Sequence, residues 1–145
     1  MMKKIREMKG EDVQLLADIW LRVSLKAHKF IPEEYWIENK YLMAEKYLPV
    51  SEVYVVEETD TILGFIALIG NHIASIFVDN EEQEKGIGSL LLNYAKELRT
   101  DLTLSVYQKN EKSVNFYKSK KFIILYETID EPTGEKEFTM QWKKQ

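Results

Sequence analysis

Apolar residues recur along this chain at two periods, and each change of period marks an element. Residues 3–8 read as a short strand with Ile5 turned inward. Glu11 and Asp12 stand where acidic groups favour a helix start, and Leu16, Ile19, Trp20, Val23 and Ala27 then keep helical spacing to about residue 29. Ile31-Pro32 ends that run, because the residue before a proline is pushed out of the α region. Trp36, Ile37, Tyr41, Met43, Ala44 and Tyr47 predict a second helix over 33–48 that stops before Pro49. Beyond it the period becomes two. Strands are predicted over 53–57 and 62–69, joined at Thr59-Asp60-Thr61, and over 73–78 after a turn at Gly70-Asn71. A helix over 87–98, a strand over 102–107, a short helix from Asn110 to about 118 and strands over 122–129 and 136–142 complete the order β-α-α-β-β-β-α-β-α-β-β. This is a mixed sheet with helices on both faces, of α/β or α+β class, in one domain spanning 1–145.

The stretch from 73 to 98 carries the first chemical signal. A buried strand runs into a polar turn, then Gly86-Ile87-Gly88, then a helix whose Ile87, Leu90, Leu91, Tyr94, Ala95 and Leu98 share one face. The first-turn amides of a helix have no partner within it, and the macrodipole places partial positive charge there. Two glycines let backbone approach an anion closely, and Ser89 can add a hydroxyl. The same residues also describe an ordinary turn between strand and helix.

Composition narrows the choice. The chain has 145 residues, 45% apolar and 30% charged, as in an ordinary globular protein. There is no cysteine, which removes disulfides, thiolate metal sites and a cysteine nucleophile and fits a cytoplasmic location. No run is long enough for a membrane span and the N-terminus lacks the apolar stretch of a signal peptide. A net charge of −4 disfavours a nucleic-acid partner. His28 and His72 stand far apart with no carboxylate cluster, so no metal site is expected.

Two motifs and the element order together resemble the GCN5-related N-acetyltransferase family. Its glycine loop, Q/R-x-x-G-x-G/A, reads Gln83-Glu84-Lys85-Gly86-Ile87-Gly88 here, directly after the predicted fourth strand. Its second motif, an asparagine after the fifth strand, an aromatic-rich helix and a Gly-Phe pair, reads Asn110 through Phe116-Tyr117 to Lys121-Phe122. Lys121 replaces the usual glycine and is expected to adopt a left-handed conformation at a cost of about 1 kcal/mol. The Walker A and GxGxxG patterns fit less well, since no GK[ST] is present and Leu91 occupies the third glycine position.

The resemblance implies a mostly antiparallel seven-stranded sheet with four helices, splayed between the fourth and fifth strands. It also implies acetyl-CoA as donor, a primary amine as acceptor and direct attack in a ternary complex. The Gln83, Glu84, Lys85, Gly86, Ile87, Gly88 and Ser89 amides would hold the pyrophosphate, the Phe77 and Val78 backbone would pair with the pantetheine arm, and Asn110 would contact the cofactor or cap its helix. Tyr117 would meet the sulfur and donate a proton to it; by periodicity alone it could equally belong to a core stripe. Trp20, His28, Tyr35 and Trp36 would line the acceptor side, or pack two helices on the sheet. His28, with an ordinary pKa near 6.5, is a candidate base, and Ala27-His28-Lys29-Phe30-Ile31 resembles one bacterial branch of the family. His72, before the central strand, is a weaker candidate. A homodimer, an acceptor that is either metabolite or peptide, and a non-catalytic acyl-CoA-binding sensor or interaction module all remain open on the sequence.

Overall fold

In the computed structural model, which describes residues 2–145, seven strands form one sheet in the order β1-β2-β3-β4-β5-β7-β6. They are β1 (Lys4–Glu7), β2 (Glu52–Glu58), β3 (Thr61–Ile69), β4 (His72–Val78), β5 (Asp101–Tyr107), β6 (Ile123–Asp130) and β7 (Glu135–Lys143). Only the β4–β5 pair is parallel; the other five pairings are antiparallel. The helices are α1 (Val13–Ala27), α2 (Glu33–Leu42), a single closing turn α3 (Leu48–Val50), α4 (Ile87–Leu98) and α5 (Glu111–Ser119).

Strand alternation divides the core into two layers. Val53, Val55, Phe65 and Ala67 point towards α1 and α2, where Leu16, Ile19, Trp20, Val23 and Trp36 meet them. Their neighbours Tyr54, Val56, Ile66 and Leu68 point to the other face, against Leu91, Leu92 and Ala95 of α4 and Val114 and Tyr117 of α5. The β2–β3 hairpin closes on two residues, Thr59 (φ 48°) and Asp60 (φ 63°). Positive φ at both central positions is the turn whose twist matches that of the strands.

The second helix departs from expectation by not stopping at Pro49. After α2 the chain widens into a π turn, Met43–Tyr47, and continues through α3 to Val50. Pro49 has no N–H to continue that ladder, and the wider turn before it eases the clash of its ring with the preceding carbonyl. Ser51 Oγ donates to the Tyr47 carbonyl at 2.7 Å.

Two further features set up the site. β4 and β5 pair only at His72–Thr103 and Ile73–Leu104, with a register shift in β4 that leaves Ala74 without a β3 partner. Past that bulge the two strands part. At the end of α5, Lys121 takes φ 73°, Phe122 N donates to the Tyr117 carbonyl at 3.1 Å and Lys121 N to that of Lys118 at 3.1 Å. This left-handed cap is the one expected from sequence, with lysine in the place of glycine. Lys96 Nζ adds a bond to the Lys120 carbonyl at 2.6 Å, fixing the helix that carries Tyr117.

Candidate active site

The parting of β4 and β5 opens a cleft of about 590 Å³ whose walls come from α1, α2, β4, α4, β5 and α5. At one end lies the glycine loop. After β4 a 3-10 turn, Asn80–Glu82, leads to Gln83, then to Glu84 (φ 65°) and Gly86 (φ 83°). The first intrahelical bond of α4 is from Leu90 N to the Gly86 carbonyl at 3.0 Å, so the amides of Ile87, Gly88 and Ser89 have no helical partner. These residues line the cleft.

The two glycines serve different ends. A Cβ on Gly86 would meet nothing within 4 Å, so its role is the positive φ that starts the helix. A Cβ on Gly88 would sit 3.1 Å from Phe116 Cζ, so that glycine lets α4 and α5 approach. Gln83 Nε2 donates to the Val78 carbonyl at 3.1 Å, tying the loop to the end of β4. Lys112, on α5, pairs with Glu84 at 3.3 Å, both side chains largely exposed, and such a pair contributes little to stability.

Along the β4 wall, Asp79 N bonds to the Leu63 carbonyl and Phe77 faces Phe65 across the ladder. Antiparallel pairs alternate in direction. The N–H and C=O of Ile76 and Val78 therefore face the gap, whereas those of Phe77 are turned to β3. Of the two residues expected to offer backbone there, Val78 does so and Phe77 does not; Ile76 takes its place. Across the gap stands Tyr117, buried, its hydroxyl without a hydrogen-bond partner among the described residues. Burial alone pushes its pKa well above the ordinary phenol value.

Asn110 caps α5, its Oδ1 accepting from Ser113 N at 3.3 Å. That fixes its amide, so Nδ2 is the group that meets His28 Nε2 at 3.3 Å. The Nε2 of His28 is then an acceptor and its proton sits on Nδ1, which is buried without a partner. Ser24 Oγ and Trp36 Nε1 are also buried and unpartnered, so three orphan polar atoms share the α1–α2 wall. Aromatic rings surround the imidazole, with centroids of Trp36 at 5.2 Å, Tyr107 at 5.1 Å and Phe30 at 5.7 Å. Burial pulls its pKa down to about 4, leaving it neutral and weakly basic.

Trp20 and Trp36 join His28 in the cleft wall, packed edge to face at 5.5 Å. Tyr35 stands behind Trp36, ring centroids 4.9 Å apart, and is not brought to the wall. Lys85 is also outside it, its Nζ held by Glu82 at 3.4 Å. His72 lies where β4 and β5 still pair, with Nδ1 2.8 Å from Thr103 Oγ1. Glu137, absent from the sequence reading, lines the cleft beside Tyr107, its β7–β5 partner. Its phase puts it on the face of β7 opposite to Phe138, Met140 and Trp142, the side that Tyr107 occupies on β5.

A family model described as an acetyltransferase (GNAT) domain matches residues 49–124. The chain is 31% identical over 139 residues to the peptidyl-lysine N-acetyltransferase YiaC of Escherichia coli, covering 95% of each chain. It superposes on the solution structure of apo-form YjaB from Escherichia coli with a TM-score of 0.88, 28% identity and full coverage of both chains. The paiA N-acetyltransferase of Thermoplasma acidophilum, solved with coenzyme A, shares the fold at TM-score 0.83 and 21% identity over 99% of each chain. The chain belongs to the GNAT acetyltransferase family.

As a GNAT acetyltransferase the protein uses acetyl-CoA as its cosubstrate. The residues present suit that molecule. Three amides without a helical partner at a helix N-terminus suit a diphosphate, the β4 backbone turned to the gap, its Val78 carbonyl shared with Gln83, suits the amides of an extended arm, and an unpartnered hydroxyl lies beside the gap.

Proposed function

We propose that this protein transfers an acetyl group from acetyl-CoA to the ε-amine of a lysine side chain in a peptide, by direct attack within a ternary complex. The observation that carries this reading is that one cleft holds both the unpaired amides of Ile87–Ser89 and the unpartnered Tyr117 hydroxyl, and continues to an aromatic wall. The lysine acceptor is supported by the relatives named peptidyl-lysine N-acetyltransferases.

Acetyl-CoA supplies an acyl group activated as a thioester. Amides of Ile87, Gly88 and Ser89, with Gln83, Glu84 and Gly86 around them, hold the anionic end, and Ile76 and Val78 orient the extended arm as an added strand would be oriented. A backbone N–H of Ile76 or Val78, in place before reaction, stabilises negative charge growing on the acyl oxygen. Tyr117 hydrogen-bonds the leaving sulfur. A phenol is a weaker acid than a thiol (about 10 against about 8.5), so Tyr117 completes the transfer by recovering the proton that the new amide nitrogen sheds. Trp20 and Trp36 embrace the methylene stem and cationic head of the acceptor, and His28, neutral and held by Asn110, keeps that wall rigid.

Incubation with acetyl-CoA and lysine-containing peptides tests the reading. Thiol release matched by one acetyl group per peptide, located on lysine by mass spectrometry, is expected. Coenzyme A binding with no thiol release on any such peptide would overturn it.

A further inference from the structure

We propose that Glu137 is the residue that receives the acceptor ammonium and takes its proton before attack, with Asp130 held in place as its electrostatic companion. This rests on the acetyltransferase reading and names the group on which it otherwise depends. An amine of ordinary lysine pKa, about 10.4, is protonated at neutral pH and has no lone pair to offer. His28 is poorly fitted to free it, because its one accepting nitrogen is already committed to Asn110.

Glu137 has the right surroundings. It lies in the cleft wall that also holds Tyr117, on the sheet face covered by α1 and α2. The titratable groups around it are Tyr107, its partner on β5, Asp130 on β6 and Tyr35 on α2, and His28 lines the same cleft. None is cationic, and Lys112, the cation that also lines this cleft, is paired with Glu84 at 3.3 Å. Lys109, on the loop after β5, is engaged by Glu135 at 3.1 Å, and Glu137 itself makes no ion pair among the described residues. Asp130 is fixed by two donors, Tyr107 Oη at 3.0 Å and Thr133 Oγ1 at 2.7 Å, both on Oδ2. A half-buried carboxylate beside a second negative charge, with no cation nearby, attracts an arriving ammonium. Burial first and Asp130 second raise its pKa, which makes it a better proton acceptor near neutrality.

In the step, a Glu137 oxygen takes one proton from R–NH3+, and the freed lone pair forms the N–C bond. The C–S bond then breaks and sulfur takes the Tyr117 proton. Tyr117 regains one from the nitrogen, which becomes the amide, and Glu137 returns its proton to solvent. Net products are the acetyl-lysine amide, coenzyme A thiol and one proton.

The test compares wild type, Glu137→Gln, Glu137→Asp and, as a surface control, Glu135→Gln. Glu137→Gln is expected to lower kcat/KM for a lysine peptide by about 10² or more, with acetyl-CoA affinity unchanged by calorimetry, and to abolish the acidic limb of the pH profile. Glu137→Asp should fall between, and a thialysine peptide, whose amine is less basic, should recover part of the Gln variant's loss. Independently of turnover, NMR of the side-chain carboxyl in the cofactor-free protein should show Glu137 titrating above the ordinary glutamate range. Glu137→Gln with wild-type kcat/KM and an unaltered pH profile overturns this role alone. A wild type that acetylates no amine overturns the acetyltransferase reading and this inference together.

Discussion

Tyr117 and His28 both sit in the cleft, yet opposite consequences follow from their burial. Tyr117 has no hydrogen-bond partner for its hydroxyl among the described residues and stays protonated, as the proposed contact with a sulfur requires. Tyr117→Phe is therefore expected to reduce kcat about 100-fold or more while acetyl-CoA affinity by calorimetry is unchanged; an unchanged kcat removes the acid role. His28 is neutral in the folded protein. Its folded pKa of about 4 lies below its ordinary 6.5, so the unfolded chain binds the extra proton first. Its contribution to stability is complete above about pH 6.5 and is lost as pH falls towards 4. The urea midpoint of wild type should accordingly drop between pH 7 and 5, and His28→Gln should flatten that slope; a variant with the wild-type slope contradicts this. The sequence offered histidine as a base because its ordinary pKa suits the task. That reading had no access to the ring of Trp36, Tyr107 and Phe30 packed around it, nor to the Asn110 amide that occupies Nε2.

Among the elements, α4 and α5 carry the proposed cofactor contacts, and both were legible. The apolar spacing 87–98 coincides with the observed helix, and Asn110 caps α5 as its type predicts. Lys121 was also readable, since a helix stopping before Phe122 needs a left-handed residue. Lys121→Gly relieves that conformation and is expected to raise stability by about 0.5–1 kcal/mol in urea unfolding; a loss of stability indicates that the lysine side chain contributes more than its backbone strain costs. The end of the second helix was not legible, because proline is a reliable breaker only inside an α-helix and here a π turn precedes it. Glu137 was missed for a different reason. Strand alternation says which face it occupies, but only the antiparallel register with β5 places it opposite Tyr107 and in the cleft.

For the whole molecule, the decisive feature is one break in an otherwise continuous sheet. Five antiparallel pairings and two packed layers hold β4 and β5 apart beyond Ala74, and the resulting gap aligns the glycine loop, the exposed β4 backbone and the aromatic wall along a single path. The net charge of −4 gives no general attraction for a polyphosphate, so the proposed site rests on local amides and the α4 dipole. Element order and both motifs foretold this plan by resemblance. Which β4 residues face the gap could not be read before the bulge and ladder were known. The most direct measurement is an amide NMR titration of the protein with coenzyme A. The account predicts large, saturable shifts and slowed hydrogen exchange at Ile87, Gly88 and Ser89. Binding that leaves those three amides unmoved would contradict it.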